Sequence, residues 1–177
     1  MEPHEILEAK DDLRRRLRNV VEQRDRLRTN SAYGGEPGEP MFDPAVKRSW
    51  VQRLRQPGTQ QAFGELRRDT LHPDSSVTSA FCCLGVLCEL AAEKQVISPG
   101  RVEEELGLSP SEGAELATET RVLYAGDHEM PPGQVSRWGV TGTRNTDLIF
   151  SIYGKLANAN DSGLPFPDIA DVIEEVL

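Results

Sequence analysis

Three cysteines crowd into the run Phe81-Cys82-Cys83-Leu84-Gly85-Val86-Leu87-Cys88, and a thiol at the start of a helix is the group in this chain best suited to nucleophilic chemistry. The N-terminal end of a helix lowers a thiol pKa and so favours the reactive thiolate. With His72 or His128 as base and Asn160 or Asp161 to orient it, Cys82 or Cys83 would serve a cysteine hydrolase or transferase. The setting argues for packing instead. Phe81, Leu84 and Val86 are core residue types, free cysteine is among the most buried residues, and nothing local places a histidine beside either thiol. The reading is therefore of no catalytic residue, with Cys82, Cys83, His72 and His128 as the set to examine if the protein is an enzyme.

Metal binding draws less support from the same residues. Ligands on one helix should stand three or four positions apart, whereas Cys83 and Cys88 point about 140° away from each other. His4, His72 and His128 are isolated in sequence. No metal and no cofactor are expected. A pocket for a small molecule is the remaining chemical option. Trp50 and Trp138 could stack on a base, Gln61, Asn160 and Asp161 supply polar contacts, and Gly85 marks a place where a ligand or another backbone passes close to a helix.

These residues need elements to position them, and the apolar pattern supplies mostly helices. Residues 80–95 form an expected central helix, apolar on more than half its circumference and so packed on several sides. Gly85 inside it costs about 1 kcal/mol relative to Ala, which a close approach would explain. Asp43-Pro44 gives an N-cap and a first-turn proline to a helix carrying Val46, Trp50, Val51 and Leu54, stopped by Pro57-Gly58. Residues 59–69 read as a short helix or as a turn and strand, and residues 70–78 as a loop. Ser98-Pro99 predicts a further short helix ended by Gly107, and Ser109-Pro110-Ser111-Glu112 has the form of a capping box. The β-branched and aromatic stretch 120–125 predicts one strand, with 61–79 as the region able to pair with it. A turn of helix ends at Trp138-Gly139, and helices follow over 145–157 and 166–176 with a polar turn, 158–163, between them.

Residues 5–28 predict a charged helix with Ile6, Leu13, Leu17, Val20 and Leu27 on a narrow stripe. Their spacing fits a heptad seam, interrupted where Lys10 and Arg24 fall on it. That stripe is the candidate oligomer interface; docking on the chain's own body is the first alternative and an exposed mobile arm the second. The organisation expected is an arm or short coiled coil over 1–30, a Gly/Pro linker over 31–42 and a globular core over 43–177. The fold class is mostly α, with α+β as the alternative: a compact helical domain around a central buried Cys-rich helix, with a small β element and an N-terminal helical arm.

Composition narrows the function classes. The net charge of -9 is uneven: residues 1–76 hold 14 Lys/Arg and 13 Asp/Glu, and residues 77–177 hold 6 and 16. An acidic C-terminal half disfavours general nucleic-acid binding and suits a basic partner. No apolar run approaches the roughly 20 residues that a membrane span requires. No basic start followed by an apolar block suggests a secretory signal, so the expectation is a cytoplasmic protein with reduced thiols.

The Cys82-Cys83-Leu84-Gly85-Val86-Leu87-Cys88 run, with Trp50 and Gln61 before it and Pro131-Pro132, Trp138-Gly139, Asn160-Asp161-Ser162-Gly163 and Ile169-Ala170-Asp171-Val172-Ile173-Glu174 after it, resembles an uncharacterised family of small proteins encoded by bacteriophages and actinobacteria. The likeness covers about residues 46–176; Pro165 stands where a capping Ser is expected. It implies a phage setting, hence the host cytoplasm, and carries over no catalytic residue. The leading functional expectation is a noncatalytic accessory protein that binds a host protein or another copy of itself. The alternatives are a counter-defence protein that sequesters a nucleotide signal and a Cys-dependent hydrolase or transferase.

Overall fold

A computed structural model describes residues 1–28, 40–103, 118–124, 129–143 and 145–177. Among these residues the chain forms six helices and one small sheet, so the protein is mostly α with a minor β element. The helices are α1 (Pro3–Arg28), α2 (Pro44–Leu54), α3 (Cys83–Glu93), α4 (Gly133–Gly139), α5 (Thr146–Asp161) and α6 (Phe166–Val176). The strands are β1 (Gln60–Gln61), β2 (Arg67–Leu71), β3 (Val77–Phe81), β4 (Pro99–Glu103) and β5 (Thr118–Tyr124). Local chemistry accounts for several boundaries. Asp43 accepts hydrogen bonds from the Ala45 and Val46 amides at the start of α2, and Asn145 does the same for Asp147 and Leu148 at the start of α5.

The sheet order is β1-β3-β2-β5-β4. β5 pairs antiparallel with β2 and with β4, and β2 and β3 form a hairpin. Residues 59–69 thus resolve into a turn and two strands. The helix expected from Ser98-Pro99 is instead the edge strand β4; proline is tolerated as the first residue of an edge strand because it leaves no ladder bond unmade. The capping box at 109–112 lies outside the described residues. The polar turn expected at 158–163 is for the most part the last turn of α5, which runs on through Asn160 and Asp161 before Gly163 turns the chain with φ of 86°. Helix-compatible polar residues and a strong α5 face carry the helix past the point where composition alone would end it.

α3 is the centre of the core. Eight of its residues are buried, and it contacts α2, α4, α5 and β3. Trp50 is wholly buried from α2, where its ring meets Phe42 at 5.7 Å. Met41 and Phe42, placed with the linker by composition, are core residues, and Phe42 bridges to Val140.

The α1 stripe docks on its own chain. Leu13, Leu17 and Val20 are buried against α5 and α6, with Ile6 and Leu27 partly buried beside them. Burying each large apolar side chain contributes about 1.5–3 kcal/mol, an upper estimate. The two misfits in the heptad have local partners: Lys10 Nζ lies 2.9 Å from Asp168 and 2.6 Å from Asp171, and Arg24 bonds Asp25. Arg14 and Arg18 both reach Glu175, and Arg55 from α2 reaches Asp171 and Glu174. The basic counterpart that the acidic C-terminal half called for is thus found, in part, within the same molecule.

Candidate functional site

The first turn of α3 brings together most of the residues that the sequence marks. Cys82 is the N-cap, and its Sγ accepts the Gly85 amide at 3.3 Å. That bond and the helix end favour a thiolate, but burial outweighs them and pushes Cys82 up to about 11. Burial raises Cys83 well above its ordinary value too, and its Sγ faces the Leu156 carbonyl at 3.5 Å. Burial thus holds both thiols in the protonated form, which disfavours either as a nucleophile at neutral pH. His72 sits in the β2–β3 turn and shares a hydrogen bond with Thr78. From there β3 carries the chain roughly 13 Å away before it reaches Cys82, at ~3.3 Å per residue. His128 lies outside the described residues.

A thiol reagent at pH 7 is therefore expected to leave all three cysteines unlabelled in the native protein and to label all three after unfolding, as counted by mass spectrometry. The sign of the pH effect follows: a raised native pKa contributes stability below the unfolded-state value and loses it as pH climbs through the native one. Cys82 alone should cost the fold on the order of 2–3 kcal/mol between pH 9 and 11.

Asn160 is the junction of this region. It is wholly buried, and its Oδ1 accepts the Cys83 amide at 3.1 Å and Gln61 Nε2 at 3.1 Å. Its Nδ2 donates to the Ala62 carbonyl at 2.8 Å and to Asp161 Oδ1 at 3.1 Å. Asp161 in turn accepts the Gly64 amide, and Gln61 also reaches the Leu164 carbonyl. Gly85 has its physical reason here: a Cβ at that position would run into the Leu66 carbonyl, so the close approach is by the chain's own backbone.

The pocket expected from Trp50, Gln61, Gly85, Trp138, Asn160 and Asp161 does not form around one space. Gln61, Asn160 and Asp161 meet, but the Gln61 amide nitrogen, both polar atoms of the Asn160 side chain and Asp161 Oδ1 are spent on each other and on backbone. Trp50 donates its indole N–H to the Cys83 carbonyl at 2.8 Å from the core interior. Trp138 lines a separate groove with Val46, Ser49, Leu90 and Val96. Burial and internal pairing make these residues a staple between α3, α5 and the β1–β2 segment.

The built polar site lies on the other side of α3. A cleft of about 320 Å³ opens between the Gln56–Thr59 connection, Ser79 and Phe81 of β3, and Val86 and Glu89 of α3, with Arg53 at its edge. Behind it stands a buried charge cluster. Arg67, whose side chain is 13% exposed, holds Asp69, 5% exposed, through Nε at 2.7 Å and Nη2 at 3.0 Å, and reaches Glu89 Oε2 through Nη1 at 2.9 Å. Tyr124 donates to the same Glu89 Oε2 at 2.8 Å, Ser79 donates to Asp69 at 2.7 Å, and the Arg67 guanidinium lies 5.2 Å over the Phe81 ring. Burial works against the Arg67 charge, but the bond to Asp69 and the charges of Glu89 and Asp69 more than reverse it, so the guanidinium is held firmly protonated. Burial, then the Glu89 charge and hydrogen bond, push the Tyr124 hydroxyl up and keep it a donor.

Strand register explains why these groups converge. Arg67 pairs with Phe81 and Asp69 with Ser79, so alternation puts all four side chains on the face turned to α3. Thr78 and His72 belong to the opposite face. Glu89 spends Oε2 on two donors, and its Oε1 has no hydrogen bond among the described residues. A signal for this site was present in the sequence: Glu89 is the sole charged residue between Phe81 and Ala92, and a lone carboxylate in an apolar helix needs a partner.

A family model described as a domain of unknown function, DUF8296, matches residues 42–177. The chain belongs to that family. No curated protein and no solved structure matches it. The DUF8296 domain contains the α3 staple, the cleft and all of the sheet, whereas α1 lies outside it.

Proposed function

We propose that the protein is a noncatalytic accessory protein that binds a protein partner, and that its DUF8296 domain receives a lysine or arginine side chain of that partner in the Glu89 cleft. The observation that carries this reading is the Glu89 carboxylate. Arg67 and Tyr124 fix its Oε2, Oε1 remains available, and Phe81 and Val86 flank the cleft for the apolar stem of a cationic side chain. Arg53 does not compete for an anion, because both oxygens of Glu93 hold it at 2.8 and 3.0 Å. The cleft hydroxyl with a hydrogen-bonded partner, Ser79, donates to Asp69 and has no histidine beside it among the described residues, which favours binding over acyl transfer. An overall charge of -9 would steer a basic partner toward the domain. In the phage setting that the resemblance implies, the partner is a host protein.

The test is calorimetric titration with N-acetyl-arginine methylamide and with its citrulline counterpart, which has the same length and no charge. Saturable binding of the arginine probe alone is expected, weakened at least about tenfold in Glu89→Gln, since a hydrogen bond to a charged group contributes about 1.5–3 kcal/mol. Thr59→Trp, which fills the cleft from its rim without touching the charge cluster, should abolish it. Equal binding of the two probes, or none of either, would sink the reading.

A further inference from the structure

We propose that the α5–α6 face beneath α1 is a second docking surface, separate from the Glu89 cleft, whose partner is a basic amphipathic helix, and that α1 is its resident occupant. The first support is modular. The family match begins at residue 42, so α1 lies outside it while α5 and α6, on which α1 packs, lie inside it. The second is charge. Every ion pair between α1 and α6 has its cation on α1 and its carboxylate on α6: Lys10 with Asp168 and Asp171, and Arg14 and Arg18 with Glu175. One acidic helix edge beside one apolar face is the geometry that recognises an amphipathic helix by its i, i+4 and i+7 anchors. Leu13, Leu17 and Val20 are those anchors here.

The attachment is also of a kind that can be exchanged. The ion pairs keep some solvent access, from 17% for the Lys10 side chain to 55% for Arg18, and pairs that water and salt can reach are individually weak and screened. An open groove of about 110 Å³ runs along the outer edge of the α1–α5 seam, lined by Asp12, Arg16, Lys155 and Asn158 beside Ala9 and Leu13, so solvent reaches the rim of the contact. Eleven residues, 29–39, join α1 to the rest of the chain, a contour of about 36–40 Å. A partner helix would gain the same face when it carries apolar residues at the Leu13, Leu17 and Val20 spacing and cations at the Lys10, Arg14 and Arg18 positions.

Two measurements on the full chain decide the matter. In hydrogen exchange, α1 amides should exchange at least ~100-fold faster than those of α3, and 0.5 M salt should speed α1 without affecting α3. A fluorescent peptide of residues 1–28 should bind the K10E/R14E/R18E variant at least tenfold more tightly than wild type, because the variant's own helix competes less well. The same peptide carrying those three substitutions should bind neither. Exchange of α1 only together with α3, loss of α3 protection in the triple variant, or failure of the peptide to bind a folded triple variant would each overturn the proposal. The first two would make α1 an integral part of the core.

Discussion

Gly85→Ala is expected to destabilise the protein by about 3 kcal/mol or more, the upper end of the range for overpacked sites. The added methyl would meet the Leu66 carbonyl and then the Leu66 carbonyl carbon, 2.6 Å away. These are backbone atoms, and neither side has a rotamer with which to yield. Leu66 is pinned because its carbonyl also accepts the Cys82 amide at 3.1 Å, while α3 is packed on several sides and cannot retreat. For a chain of this size such a loss lowers the thermal midpoint by roughly 6–12 °C, readable by calorimetry. Gly154→Ala is the matched control. It is also an interior helical glycine, but nothing lies within 4 Å of its Cβ position, so the substitution should stabilise α5 by about 0.5–1 kcal/mol. Equal effects of the two would mean that the α3–Leu66 contact is not tight.

Asn160→Ala should cost a similar amount, about 3–5 kcal/mol, through a different mechanism. The side chain makes four hydrogen bonds in the core, two as acceptor and two as donor. Removing it strands the Cys83 amide and the Ala62 carbonyl, and each orphaned buried group costs about 1–3 kcal/mol. Asn160→Asp is expected to rescue little, since a carboxylate cannot donate to Ala62 and would face Asp161. The measurement is urea unfolding, where the midpoint should fall with an unchanged slope. A Gln61→Ala cycle should reveal coupling, because the two side chains share a bond. Additive effects in that cycle would show that Asn160 acts only through the backbone groups it satisfies.

Both predictions fall on residues that the linear pattern alone singles out. A glycine inside an apolar helix has a conformational cost, and that cost points to a close neighbour at Gly85. Asn160 and Asp161 are expected in a turn between two apolar helices; they close the last turn of α5, and Asn160 meets the first turn of α3. What they do there is not legible in the chain. Whether Gly85 admits a ligand or a backbone, and whether Asn160 offers its amide to solvent or to Cys83, depends on segments far apart in sequence. The cleft is harder still. Arg67, Asp69, Ser79, Glu89 and Tyr124 come from three strands and a helix, and their convergence follows from hairpin register and from β5 pairing with β2.

The sequence by itself determined the local elements: the start of α2 at Asp43-Pro44, an apolar central helix expected over 80–95 and found over Cys83–Glu93, with Phe81 in β3 instead, the extents of α1 and α6, and a strand near 120. It did so because caps, prolines and apolar periodicity act over a few residues. Only the tertiary structure decided that Pro99 opens a strand, that α1 spends its apolar stripe on its own chain, and that the thiols are sealed while a carboxylate on the same helix faces a cleft. Each of these outcomes is set by pairing and desolvation between distant segments, and a linear pattern records the residues available for such pairing but not the choice among them.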